Sequence, residues 1–250
     1  MRSVFKAAAA AALMLSALLT AACTNITPSD TPAASAGTDE PFDIEIPEAT
    51  DTPVTVQPTE LCTPDPTGYV FISEDELNEV IARNTYVSEA QRTIVESALS
   101  LVGRVDYFWG GKSYVQGFDP DWGTPREVTS PGDSTTGQII PYGLDCSGFI
   151  CWCGAQLGRG ISWTSTNIGE GTWHQWEGSR SVDMDKLRPG DIVFQNEYPG
   201  ADGNHVGLVV GFRSSGEPVI VHCSSICARV VATTPGEIFR FYRRFSFLDD

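Results

Sequence analysis

The sequence predicts an α+β domain, and three observations carry the prediction. Two helix-start signatures, Ser73-Glu-Asp-Glu76 and Ser88-Glu-Ala-Gln91, each stand before apolar residues at helical spacing. An almost wholly apolar run, Phe149 to Leu157, follows Asp145-Cys146-Ser147-Gly148 and ends at Gly158. From Asp191 onward the hydrophobic period changes to two, and turn residues punctuate it. Helices first and an antiparallel meander afterwards put the helices on one face of a sheet.

Taken in order, the chain opens with Arg2 and Lys6 ahead of an apolar run, Ala7 to Leu19. That run is too short to span a bilayer and suits a signal-peptide core over residues 1–22. It ends in Leu19-Thr-Ala-Ala-Cys23, small residues before a cysteine, so Cys23 is the expected lipid attachment site and first mature residue. Simple cleavage and release is the alternative. Residues 23–67, rich in Thr, Pro, Ser and Asp, read as a flexible tether too polar to pack. The first helix-start signature opens a helix carrying Leu77, Val80 and Ile81, within an N-terminal extension over 68–92. The second opens a longer one with Ile94, Val95, Ala98, Leu99 and Val102 on its apolar side, stopping at Gly103. The domain proper spans 93–250.

After Tyr107-Phe-Trp-Gly-Gly111, residues 112–141 form an insert of Gly, Pro, Asp, Ser and Thr. Its rings, Tyr114, Phe118 and Trp122, predict a loop that packs. Asp119 and Asp121 hint at a calcium loop, but Pro120 and Pro125 intrude and Ser130 stands where a glutamate is needed. Residues 161–177 read as a polar, Trp-bearing stretch in which His174 is surface or groove lining. Expected strands are 191–195, 205–212, 218–222, 229–233 and 239–245.

Acids outnumber bases 32 to 16, and no Lys/Arg stripe is available for phosphates, so a nucleic-acid partner is excluded. Of the seven cysteines, Cys23 and Cys146 have separate roles, and the remaining Cys62, Cys151, Cys153, Cys223 and Cys227 cannot all pair. Cys223 and Cys227 are close enough to bridge across a turn, and the sequence leaves both redox states open. A metal site on Cys151, Cys153, Cys223 and Cys227 is disfavoured, because Cys151 and Cys153, two apart on a helix, diverge by about 200°. No metal or cofactor is expected.

The chemistry centres on Cys146, at the first turn of a buried helix, where free N–H groups and the helix dipole favour thiolate. His205 opens one strand and His222 closes the next. The turn at Ser214–Gly216 makes those strands a hairpin, which brings both rings to one sheet end. A nucleophile needs a base, and a base needs a group that fixes its tautomer; Cys146, His205 and His222 supply these roles. A lone histidine is more commonly a satisfied core residue; two on a hairpin downstream of a helix-terminal cysteine point the other way.

Four stretches in order now carry a resemblance: Tyr107-Phe-Trp-Gly-Gly, Asp145-Cys-Ser-Gly-Phe149, Leu187-Arg-Pro-Gly-Asp191, and His205-Val-Gly-Leu-Val-Val-Gly211 ending at His222. Over residues 93–245 the chain resembles the NlpC-type bacterial cell-wall cysteine endopeptidases, which have a minimal papain-like fold. The resemblance implies N-terminal helices and a nucleophile helix packed on a mainly antiparallel sheet of five to six strands. It implies Cys146 as nucleophile, His205 as base and His222 as orienting residue. Tyr107 would sit by the oxyanion site, and Asp145 and Ser165 would hold the substrate's free amino end and backbone. The implied substrate is the peptidoglycan stem peptide, cut at the γ-linked amide between D-glutamate and a diamino acid through a thioester. The protein would then work outside the cytoplasm, held to the membrane by an N-terminal lipid. Two departures stand out: the long insert, and Trp163, where the family often has Arg. A related amidase, cutting between muramic acid and L-alanine, and a non-catalytic wall-binding lipoprotein are the alternatives.

Overall fold

The structure, a computed structural model, describes residues 68, 70–198 and 203–249. The signal segment, the tether and the lipid site at Cys23 lie outside the described residues. Both helix-start serines cap as expected. Ser73 Oγ accepts from Glu76 N at 3.3 Å and starts α1 (Glu74–Arg83); Ser88 Oγ accepts from Gln91 N at 3.2 Å and starts α2 (Glu89–Ser100). Gln91 is buried. Its Oε1 accepts from Val87 N at 2.7 Å and its Nε2 donates to Pro189 O at 2.5 Å, which ties the head of α2 to the sheet.

The insert is ordered. It contains a small antiparallel hairpin, β1 (Pro125–Glu127) with β2 (Ile139–Pro141). Trp122 is buried edge-on against Trp152, at 5.4 Å between ring centroids. Next comes α3 (Cys146–Ala155), every residue of which is buried. A helix apolar on all sides belongs at the centre of a domain, and α3 packs against α2 on one side and the sheet on the other. The stretch 161–177, polar and Trp-bearing in sequence, holds two short helices, α4 (Ile161–Asn167) and α5 (Thr172–Glu177). Each follows a glycine with φ near +85° and has no side-chain cap, so neither carried a start signal.

The remaining strands are β3 (Ser179–Ser181), β4 (Ile192–Phe194), β5 (Val206–Phe212), β6 (Pro218–Ser224), β7 (Arg229–Thr233) and β8 (Phe241–Phe245). They form one antiparallel sheet in the order β3-β8-β4-β5-β6-β7. The fold is thus α+β with a six-stranded sheet, as the residues and the resemblance lead one to expect. The free edge of β7 is covered by two pieces of chain: Ile72 N donates to Ala232 O at 3.0 Å and Val230 N to Val105 O at 2.9 Å. At the opposite side, buried Asp191 takes Arg244 in a two-pronged pair, Nε to Oδ1 at 2.5 Å and Nη2 to Oδ2 at 2.8 Å, locking β4 to β8.

Candidate active site

The head of α3 is built by Asp145. Its Oδ1 accepts from Gly148 N at 2.6 Å and from Ser147 Oγ at 2.7 Å, a helix cap that fixes Cys146 as the first helical residue. A side chain at Gly148 would lie 2.0 Å from Gly111 O, and one at Gly143 would lie 1.9 Å from Asp106 O. Only glycine lets these strands of chain meet. Leu144 O accepts from Phe108 N at 3.0 Å, and Asp145 N donates to Gly111 O at 3.1 Å. The insert therefore leaves and rejoins the domain at one place, beside the nucleophile.

Cys146 Sγ lies 3.9 Å from Asn204 O and within reach of the Val206 N–H, so the sulfur sits against the segment that carries His205. Burial, and then the Asp145 carboxylate, push the Cys146 thiol up to about 12, against the N–H groups of Val206, Ser147 and Cys146 that draw it down. Burial likewise pushes His205 down to about 4. Desolvation thus works against the thiolate that the helix terminus favours.

His205 Nε2 stands 2.9 Å from His222 Nδ1, and His222 Nε2 stands 3.2 Å from Thr233 Oγ1. His205 stacks on Phe239 at 5.4 Å, while His222 meets the same ring edge-on at 5.0 Å. His222 and Thr233 are fully buried, and burial holds His222 well below its ordinary range. Gly207 makes the approach possible, since a side chain there would lie 2.5 Å from Ile220 Cγ2 and 3.2 Å from both His222 Cβ and Phe239 Cζ. The hairpin does bring the two rings to one sheet end.

Tyr107, Asp145, Cys146 and His205 line one cleft of about 710 Å³, and His222 lies behind His205. Burial is the main cause of the raised Tyr107 pKa, with Cys146 and Asp145 adding to it, so the phenol keeps its proton and can donate. Ser130, Pro131 and Asp133 of the insert line the cleft, and Trp109 Nε1 clamps Pro131 O at 2.9 Å. Across from them stand Gly171 and Thr172, whose hydroxyl meets Tyr198 OH at 2.8 Å. Ser165 is not brought there: it does not line the cleft, and its hydroxyl faces Glu170 Oε1 at 3.4 Å. His174 is exposed on α5, its Nδ1 2.6 Å from Glu170 O.

Two residues of the site were missed in the sequence, Thr233 and Lys112. Thr233 stands two residues beyond Val231, the direct partner of His222 across β6 and β7, hence on the same face. That register offset was the available signal. Lys112 Nζ lies 3.5 Å from Asp145 Oδ2, a contact no local pattern announces.

Cys151, Cys153 and Cys223 are buried free thiols, and Cys223 Sγ points at Leu144 O at 3.0 Å. Cys227 is disulfide-bonded while Cys223 is free, so the turn-spanning bridge from Cys223 to Cys227 is not formed. Among the described residues no group of three His, Cys, Asp or Glu side chains converges as a metal site, and no helix is long and apolar enough to cross a membrane.

Comparison with known proteins gives one family match, to the model described as NlpC/P60 family, over residues 104–234. No curated protein matches. Among solved structures, the peptidoglycan hydrolase RipB of Mycobacterium tuberculosis is 25% identical, with a TM-score of 0.43; the match covers 62% of this chain and 64% of that one, so the chain spans less than two thirds of it. RipD of the same organism, described as a non-catalytic NlpC/p60 domain protein, is 18% identical with a TM-score of 0.42, over 64% of this chain and 98% of that one.

Proposed function

The chain belongs to the NlpC/P60 family, and from that premise we propose that it is a peptidoglycan stem-peptide hydrolase working through Cys146, His205 and His222. The observation that carries the reading is what meets at the cleft: a helix-terminal thiol against Asn204 O, beside His205, whose Nε2 lies 2.9 Å from His222 Nδ1. With Nε2 engaged, His205 Nδ1 is the nitrogen left to handle the thiol proton. As Sγ attacks the carbonyl carbon, its proton passes to Nδ1. The carbonyl π electrons move onto oxygen, where the N–H groups at the head of α3 and the Tyr107 hydroxyl stabilise the charge. Collapse expels the amine, which takes the proton from Nδ1 and leaves a thioester on Cys146. A water molecule, deprotonated by Nδ1, then adds to the thioester, releases the acid and restores the thiol.

The bond assigned is the γ-D-glutamyl amide to the diamino acid. The place of action is outside the cytoplasm, with the lipid at Cys23 and the tether over 23–67 as leash, and the peptidase domain over 93–250. Mass spectrometry of defined muropeptides tests this. The protein should release a fragment beginning with the diamino acid, and Cys146→Ala should fold normally yet release none. A Cys146→Ala protein that still turns over at the native rate refutes the nucleophile; cleavage only between muramic acid and L-alanine refutes the bond.

A further inference from the structure

The disulfide on Cys227 has a partner that elimination identifies. The chain holds seven cysteines. Cys146, Cys151, Cys153 and Cys223 are free thiols and Cys227 is bonded, so its partner is Cys23 or Cys62, both outside the described residues. Cys23 is the expected lipid site, and a sulfur alkylated by lipid has no thiol to give. Cys62 also stands nearer in the chain to the place where the described residues begin. The segment after it joins the domain along β7, where Ile72 N donates to Ala232 O at 3.0 Å and Thr234 N to Val70 O at 2.8 Å. Cys227 stands two residues before that same strand.

The turn that carries Cys227 supports the cleft. Ser224, Ser225 and Ile226 line it, and Cys227, itself buried, donates its N–H to Ser224 Oγ at 3.2 Å. Ala228 follows with φ 53°, the one non-glycine residue among those described in the left-handed region. A side chain is disfavoured there and persists where its surroundings hold the backbone in place. The Ala228 carbonyl in turn accepts from Tyr107 N at 2.8 Å. One bent turn therefore carries both a rim of the cleft and the backbone of Tyr107.

We propose that Cys62 and Cys227 form a structural disulfide that fastens this turn, so that an oxidation made outside the cytoplasm holds the rim of the cleft. Two S–H bonds break and one S–S bond forms. The two protons and two electrons go to an exported thiol–disulfide oxidant, whose own disulfide becomes two thiols. The bond closes a ring of about 165 residues, and cross-links across long rings take the most freedom from the unfolded chain. It uses neither Cys146 nor the histidines, so it stands or falls apart from the hydrolase reading.

The experiment uses the full chain, exported to an oxidising compartment and purified without reductant. Unfolding it in an alkylating agent tags every free thiol, and cleavage at glutamates, Glu60 among them, separates Cys62 from Cys23 before mass spectrometry. The expected product is a linked pair of peptides with Cys62 and Cys227 untagged and Cys223 tagged. A tagged Cys227, or Cys227 linked to any other cysteine, overturns the proposal. For the fastening, complete reduction should lower the wild-type melting temperature by roughly 5–15 °C. A double variant, Cys62→Ala with Cys227→Ala, should melt with the reduced wild type and ignore reductant. If that variant does not fold, amide exchange on the wild type decides: the Tyr107 N–H should exchange at least about tenfold faster after reduction. A melting temperature that reduction leaves unchanged, or Tyr107 exchange that it does not move, overturns the fastening.

Discussion

Thr233→Val probes the buried end of the histidine chain. Two proton arrangements fit the distances of 2.9 and 3.2 Å. In one, His205 Nε2–H donates to His222 Nδ1 and His222 Nε2–H donates to Thr233 Oγ1, which leaves His205 Nδ1 basic. In the other every proton is shifted, His205 Nδ1 already carries hydrogen, and the base is disabled. Valine keeps the shape of threonine but removes the acceptor. In the working arrangement the His222 Nε2–H then loses this acceptor at a fully buried position, and in the shifted one the Nε2 lone pair loses the hydroxyl donor, so the balance between them moves by at most about 1–3 kcal/mol. Each 1.4 kcal/mol is about tenfold in population, so kcat/KM should fall several-fold and by no more than about a hundredfold, with KM little changed. Thr233→Ser should recover activity to within about threefold. Peptide release followed by chromatography reads the rates, and imidazole nitrogen chemical shifts read the tautomer. A Thr233→Val protein within twofold of wild type, or a Ser variant as slow as Val, would show that the hydroxyl does not orient the pair.

Three further outcomes follow from the same geometry. Stability should fall as pH drops from about 6.5 toward 4, because the unfolded chain takes up protons that buried His205 refuses until about 4 and His222 refuses more strongly. The slope is about 1.4 kcal/mol per pH unit for each proton refused. On the alkaline side stability should fall again between about 9 and 12, where the unfolded chain ionises a thiol that the fold keeps protonated. Denaturation midpoints that do not move between pH 7 and 5 contradict the acid limb. Asp191→Asn takes the buried carboxylate from Arg244 and should cost about 3 kcal/mol in urea titrations, and loss of less than 1 kcal/mol would mean the pair is dispensable. Trp122→Ala should cost about 3–5 kcal/mol; an unchanged melting temperature would make the insert a mere surface appendage.

Much of the framework was legible because its signals are local. Ser73 and Ser88 announce their helices through a cap three residues long, and apolar runs set apart by turn residues announce the strands from Asp191 onward, although β4, β5, β6 and β7 are buried on both faces and only β8 alternates. The approach of the two histidines was legible too, because a short hairpin leaves two ring-bearing positions little choice of neighbour. What escaped depends on tertiary contact. The helices α4 and α5 begin at glycines without caps and are held by packing, with Gln175 buried beneath Ser147 O at 2.8 Å. The burial that pushes the Cys146 thiol up is likewise something a helix-terminal position does not reveal. Lys112 meets Asp145 only because Gly111 and Gly148 let two distant backbones touch. Ser165 shows the converse: a position matched by motif spacing can fold away from the cleft.

The meeting of Gly111 with Asp145 has a consequence for how such clefts diversify. A chain excursion that starts and ends at one backbone contact adds little closure entropy as it lengthens, and it transmits no change of span to the nucleophile. The rim can thus be rewritten while the chemistry beneath stays in register, provided one ring still plugs the Trp152 face as Trp122 does. The catalytic floor and the selecting wall are, in this molecule, separately inheritable parts.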